Sequence, residues 1–337
     1  GIIYSMAYGL WEFGLVYQLM WFKSDLRILD NPALQKAMGN GPTIAVYMLS
    51  HAQWLEHGIS YAKKSLIIRQ LLSLASTLQT LNVPLVVRAT QSFHSLPNDI
   101  LNFANDASVS DIYFNKEYEL NERRCEQTLA ELATCQGVSL HSYNDTCMVE
   151  PGLIRNKKGE PYKVFSAFKR ELIKQSSTLM RPLYPSPSVQ ENTDMLTDIS
   201  ALLEFQASFE ITGAKDFGTS QTWPAGEDEA HIRLESFVEN ELERYAIDIP
   251  GKTGTSSLSP YLAVGAISTR QCVQQVIQSC GDVMGGGDGG ANTWFNELVW
   301  REFYRHLMFD FPQVCRFKPF KVETDFLPWR HDKTLFD

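Results

Sequence analysis

No two cysteines in this chain are spaced as Cys-x-x-Cys: the six stand at 125, 135, 147, 272, 280 and 315. Cysteines so dispersed argue against a disulfide scaffold or a zinc ribbon and suit a reducing, cytoplasmic compartment. The seven histidines form no His-Glu-x-x-His pair, so a metal centre has little support. Positive charge is also short, with 30 Lys and Arg against 39 Asp and Glu and a net charge of −9. That balance argues against nonspecific polyanion binding by the protein as a whole. The apolar first twenty residues are interrupted by Glu12 and three glycines and have no basic leader, so neither a signal peptide nor a membrane anchor is expected. The glycine-rich stretch 285–290 has no strand before it and no Lys-Ser/Thr after it, which excludes a P-loop and a dinucleotide fingerprint.

What remains can bury sizeable cores: 44% of residues are hydrophobic, and there are 19 Phe, 13 Tyr and 7 Trp. A disordered or collagen-like chain is excluded, and 337 residues suggest about two domains. The negative charge is local. Residues 185–230 hold nine acids against one base, Lys215, so the rest of the chain is nearly neutral and nucleic acid stays open as a partner. Short apolar runs at 15–22, 43–49, 85–88, 111–114 and 139–143 alternate with helical patterns near 32–38, 59–81, 95–107 and 120–135. This alternation predicts an α/β domain over 15–150, built on a Rossmann-like parallel sheet. Residues 1–14 read as an untypical extension before it. Past Pro151 a helix near 162–175 runs into a proline-rich segment, and 151–227 reads as a long, exposed interdomain connection. From 228 to 337 the periodicity is helical only, with segments at 228–245, 260–280 and 292–310.

Three segments carry candidate chemistry. In Gly254-Thr255-Ser256-Ser257-Leu258-Ser259-Pro260-Tyr261, hydroxyls precede a proline that starts a helix, a seat for a phosphate or diphosphate. The plainer reading is an ordinary N-cap by Ser259. On the helix at 294–307, Glu297, Trp300, Arg301 and Tyr304 share one side with Trp294 and Arg305 at its edge, while Phe295, Val299 and Phe303 share the other. A carboxylate, an indole and a phenol together form a surface that can stack on and read a planar ring; a core helix with a Glu297–Arg301 ion pair is the alternative. Third, Asp25 and Arg27 follow the first strand, where open α/β sheets bind ligands, and a structural ion pair between them is the simpler expectation. Asn121 and Glu122 open a helix as ordinary surface residues, Cys315 reads as a small buried hydrophobe, and Trp329 as packing.

In this order and spacing the segments resemble the DNA photolyase/cryptochrome family, from about Leu19 to the last residue. The resemblance rests on WFKSDLRILDNPAL (21–34), YKVFSAFKREL (162–172), GTSSLSPYLAVGAIS (254–268) and WFNELVWREFYRHLMFDFP (294–312). Within the family the chain is most similar to bacterial class I cyclobutane pyrimidine dimer photolyases. Glu297 together with Trp300 favours that branch over cryptochrome-DASH, where a tyrosine is usual at the Trp300 position. The resemblance implies an α/β antenna-binding domain and an all-α FAD-binding domain, of which 228–337 is the N-terminal part. It implies that Tyr245, Thr255, Ser256, Ser257, Leu258, Ser259, Trp294 and Arg301 contact FAD, that Glu297 hydrogen-bonds the flipped dimer and that Trp300 stacks on it. Asn121, Glu122, Cys315 and Arg316 match positions that contact an antenna, with 5,10-methenyltetrahydrofolate favoured over a deazaflavin. Trp329 matches the outer member of an electron relay.

The activity so implied is light-driven dimer repair in ultraviolet-damaged DNA, by electron transfer from excited reduced FAD. A blue-light photoreceptor of the cryptochrome class is the alternative, and a monomer without membrane or protein partners is expected. If buried, Glu297 could share a proton with the dimer carbonyls. The helical domain of the family extends past residue 337, so the chain reads as a truncated form unable to repair alone. Three positions depart from the family pattern: Ser257 stands where an arginine is usual, Ile247 precedes Asp248 where an arginine is usual, and Arg316 replaces a lysine. Two fewer cations near the DNA groove should weaken phosphate attraction and its salt dependence.

Overall fold

Strands rich in Leu, Val, Ile, Phe and Tyr occupy the middle of the N-terminal half, and in the computed structural model they form one five-stranded parallel sheet ordered β3-β2-β1-β4-β5. The structure describes residues 16–50, 52, 54, 59–211, 222–245, 256–286 and 289–312; the expected extension at 1–14 lies outside them. The strands are β1 (Gln18–Phe22), β2 (Thr43–Leu49), β3 (Leu85–Ala89), β4 (Asp111–Asn115) and β5 (Ser139–Tyr143). They start level, Gln18 pairing with Thr43 on one side and Asp111 on the other. β1 and β2 are buried along their whole length, as expected where helices cover both faces of a parallel sheet.

Side-chain alternation divides the strands between two cores. Met20, Phe22, Ala45 and Tyr47 face α1 (Pro32–Asn40) and α2 (Tyr61–Thr80). Leu19, Trp21, Ile44 and Val46 face α3 (Leu96–Asp106) and α4 (Leu120–Gln136). The Asp30-Asn31-Pro32 signal is used as its chemistry suggests, Asn31 accepting from the Leu34 N–H with Pro32 in the first turn.

Within 151–227, α5 (Phe165–Leu179) is the helix expected near 162–175, but the expectation of an exposed connection after it is corrected: it holds a further helix, α6 (Ser200–Ile211), and the extended run before that helix pairs with the sheet. Val87 N–H donates to Asp198 O at 2.8 Å, Asp198 N–H donates to Leu85 O at 2.9 Å, and Gln190 bonds the backbone of Thr43 and Asn82. An acidic composition reads as solvated surface, but the free backbone groups of edge strand β3 recruit this segment and are covered by it.

The helical part comprises α7 (Glu227–Asn240), a 3-10 turn (Leu242–Arg244), α8 (Ser259–Val264), α9 (Thr269–Cys280) and α10 (Gly290–Asp310). The single helix expected over 260–280 is broken at Gly265, whose φ of +75 stops α8. A Cβ at Gly265 would lie 2.2 Å from Ser24 O, so the two parts of the chain touch backbone to backbone there, and Leu26 N–H donates to Val264 O. Ser268 and Gln271 then restart the chain with a capping box.

Buried charge joins the two parts. Arg270 donates to Asp30 Oδ2 (3.0 Å), Asp145 Oδ1 (2.6 Å) and the carbonyls of Asp145 and Cys147. Arg27 reaches Asp145 at 2.5 Å and the carbonyls of Asp30 and Gly265. The Asp25–Arg27 ion pair expected from the sequence is therefore not the one that forms: Asp25 accepts from Lys23 N–H and Asn115 Nδ2 instead. Burial would raise the carboxyls of Asp30 and Asp145, but the guanidinium groups around them hold both below the ordinary range.

Candidate functional site

α10 is amphipathic in an unusual way. Leu298, Val299, Phe303 and Trp294 are buried, while Glu297, Trp300 and Tyr304 form an exposed row at i, i+3 and i+7. Glu302 and His306 hold the helix in place, and sequence reasoning missed both. Glu302 accepts the N–H groups of Met148 (2.9 Å) and Val149 (3.0 Å), and His306 Nε2 lies 3.0 Å from Val149 O and 3.1 Å from Glu302 Oε1. A Glu and a His at i,i+4 on the otherwise apolar face, in line with Phe295 and Val299, were the available signal. Cys147 also approaches this pair, but both Glu302 oxygens are engaged by backbone N–H groups, which makes the cluster an anchor between helix and sheet domain. At the far end Arg155 grips Asp310 through two bonds of 2.7 and 2.6 Å.

The exposed row is therefore carried on a rigid element. Trp300 is 36% exposed and Tyr304 45%; their rings are 5.5 Å apart and tilted by 28°. Trp294, expected at the edge of this surface, is instead 2% exposed and packs against Phe237. Leu298, four residues on and so on the same side of the helix, is buried with it. Glu297 is exposed, so the burial that would favour a shared proton is not supplied here. Arg301 is half-buried and, with Arg305, turns toward a small cleft at the domain junction beside Ser24, Asp145 and Ser268. Tyr245 is half-buried against Phe237, and burial, with the Glu297 carboxylate nearby, pushes its phenol up to about 12.

In the serine-rich loop, Ser256 and Ser257 are half-buried and Leu258 is buried. Ser257 has a left-handed φ of 53 and Leu258 follows in the right-handed region (φ −97, ψ −17). A left-handed residue followed by a right-handed one is a backbone pattern that can hold an anion, and here the Leu258 N–H donates to Ser256 Oγ at 3.5 Å. Ser259 does not cap the helix as expected. It is the first helical residue, and Leu258 occupies the cap without a side-chain bond. With only six residues in α8, the loop N–H groups and hydroxyls, rather than a long helix dipole, are what this site offers. Thr255 lies outside the described residues, as do Cys315, Arg316 and Trp329.

A second candidate region lies at the carboxyl ends of β4 and β5. Glu122 is half-buried at the start of α4 while Asn121 is exposed. The Glu122 Oε2 atom is buried without a hydrogen-bond partner. Burial, reinforced by the charges of Glu119 and Glu117, pushes this carboxyl up to about 8, and burial pushes Glu117 up to about 7. A cavity of about 480 Å³ adjoins the cluster, lined by Phe114, Glu117, Tyr118, Arg123, Glu126 and Phe309. Its volume falls in the range of small-molecule sites. Among the described residues no helix is long and apolar enough to cross a membrane.

Comparison with known proteins bears on the family and the fold. Residues 18–188 match the DNA photolyase family model. A deoxyribodipyrimidine photo-lyase of Vibrio cholerae is 34% identical over 324 residues, covering 95% of this chain and 67% of the relative. Among solved structures, a bacterial class III photolyase from Agrobacterium tumefaciens superposes with a TM-score of 0.73 at 22% identity, over 98% of this chain and 66% of that one. An archaeal photolyase from Sulfolobus tokodaii with two FAD molecules gives 0.70 at 21% identity, over 95% and 66%. The chain thus spans about two thirds of the length of each of these proteins.

Proposed function

Because this chain belongs to the DNA photolyase family, we propose that it is the antenna domain and first part of the flavin domain of a light-driven repair enzyme for cyclobutane pyrimidine dimers. The observation that carries this reading is the exposed row Glu297, Trp300 and Tyr304 on an anchored helix. An indole beside a carboxylate can stack on one face of an extruded lesion while accepting from, or donating to, its edge. A dimer stacks and pairs poorly in the duplex, so extruding it costs less than the few kcal/mol of a normal base. No acid–base triad is needed, because the protein's task is to bind, orient and exclude water.

FAD fits the residues present. The left-handed turn at Ser257, with the Ser256 and Ser259 hydroxyls, suits its diphosphate, and Tyr245, Trp294 and Arg301 are the further contacts that the family pattern suggests. When bound, FAD would supply the electron that opens the cyclobutane ring and take it back. The chain's own part is to fix α10 through Glu302 and His306 so that Trp300 and Glu297 meet the lesion in one orientation.

We further propose that the antenna is a folate, 5,10-methenyltetrahydrofolate. The unpartnered Glu122 oxygen, in a cluster crowded with carboxylates, calls for a ligand edge rich in N–H groups or positive charge, which a reduced pterin has. Cys315, Arg316 and Trp329 keep the antenna and relay roles that the family pattern suggests. The working form is proposed to be a cytoplasmic monomer whose partner is ultraviolet-damaged DNA.

The test is repair under blue light of oligothymidylate carrying a single dimer, by the flavin-loaded full-length protein. Loss of light-dependent repair in Trp300→Ala and Glu297→Ala is expected. Undiminished repair in both would overturn the reading.

A further inference from the structure

Phe165, the first residue of α5, lies face to face with Trp300: the ring centroids are 3.7 Å apart and the planes differ by 2°. Aromatic pairs left to themselves prefer offset or edge-to-face arrangements over such a sandwich, so the surroundings must impose it. Phe303 does so from the core side, meeting Phe165 edge-on at 5.9 Å and 72° and Trp300 at 5.8 Å and 71°. Phe303 is itself backed by Phe168, 5.1 Å away. Neither member of the sandwich belongs to the sealed interior: Trp300 is 36% exposed, and Val164, just before Phe165, is 61% exposed. One face of the indole is thus closed by a ring that the core holds in place.

We propose that Phe165 is a positioning residue for the damaged base, a backing plate that fixes the Trp300 indole, beside Tyr304 at 5.5 Å, in the one orientation in which it meets a flipped lesion. The inference rests on the reading of Trp300 as the stacking residue. A free tryptophan side chain would lose rotamer freedom when it stacks on a ligand, whereas one already clamped does not. Preorganisation of this kind should raise affinity for the lesion by about two- to tenfold, the cost of immobilising one side chain. It should leave binding of undamaged DNA unchanged, because phosphate contacts do not involve the indole.

The experiment measures binding of fluorescently labelled oligothymidylate, with and without a single cyclobutane dimer, to wild type, Phe165→Ala, Phe165→Leu and Phe165→Tyr. Leucine keeps the apolar volume but not the flat face, so melting temperature should hold while preference for the dimer drops two- to tenfold. Alanine should lose at least as much and tyrosine should restore it. A Phe165→Leu protein with wild-type preference overturns the proposal, as does equal weakening toward damaged and undamaged strands. Absence of preference in wild type would instead refute damaged-DNA recognition itself, on which the proposal depends.

Discussion

Replacing Arg270 by methionine tests the buried junction most directly. Its guanidinium, 2% exposed, makes four donations, to Asp30 Oδ2, to Asp145 Oδ1 and to the carbonyls of Asp145 and Cys147. Methionine fills part of the volume and supplies no donor. The two aspartates would not be stripped bare, since Asp145 keeps Arg27 at 2.5 Å and Asp30 keeps Arg181 at 2.5 Å and the Ser268 hydroxyl at 2.6 Å. Removing one partner of a buried pair costs about 3–5 kcal/mol, and the remaining partners place this case near the lower end, about 3 kcal/mol. The Asp145 carbonyl loses its donor, which adds about 1 kcal/mol, while the Cys147 carbonyl keeps Asn144 Nδ2 at 2.9 Å. The expected loss is therefore about 4 kcal/mol, read from urea unfolding at neutral pH. Lysine at the same position keeps a charge but loses the planar fork, and should recover only part of it. The pH dependence has a definite sign. Asp30 and Asp145 are held below their ordinary values, so their contribution is present above the unfolded carboxyl pKa of about 4 and fades as pH falls through the folded values. The gap between wild type and Arg270→Met should narrow in acid. A neutral-pH loss below about 1 kcal/mol, or a gap that widens on acidification, would refute the account.

Other perturbations probe separate parts of the argument. Gly265→Ala should destabilise by more than about 1 kcal/mol, because the new methyl meets Ser24 O at 2.2 Å in a backbone with φ of +75; an unchanged melting temperature would contradict the close approach. Glu122→Gln should stabilise the ligand-free protein toward pH 8. A carboxyl raised to about 8 loses stability as pH rises from about 4.5 through the folded pKa, and an amide has no such penalty; the same variant should bind a reduced folate more weakly, measured by absorbance titration. Trp300→Ala should lower affinity for a dimer-bearing oligonucleotide by about 1–3 kcal/mol, the usual worth of one base–aromatic stack, and equal affinity would show that the indole does not touch the lesion.

Local chemistry made much of the sheet domain legible in advance. Thr43–Leu49 and Ser139–Tyr143 form strands over the expected residues, and the cap at Asn31 with Pro32 sets the start of α1. Period-two and period-3.6 patterns act within a few residues of themselves, so they survive folding. Partner choice does not. Arg27 could be assigned to Asp25 from adjacency, yet its partner is Asp145, far along the chain. The acidic run past Pro185 looked solvated because composition carries no information on which backbone edge needs covering. On α10 the exposed row was readable from spacing, whereas the anchoring role of Glu302 needed Met148 and Val149, which approach it only in the folded chain.

The amino-acid order alone determined where the strands and helices of the sheet domain lie, that one side of the helix at 294–307 would gather a carboxylate, an indole and a phenol, and which family's motifs the chain carries. Each of these follows from short-range periodicity or from residue identity at fixed spacing. Only the tertiary structure decided that Trp294 goes inward while Trp300 is backed by Phe165, that Gly265 must be bare to let Ser24 approach, and that Asp30 and Asp145 sit between three arginines. Those outcomes depend on surfaces far apart in the chain meeting at van der Waals distance, and close packing admits one arrangement where the sequence pattern allows several.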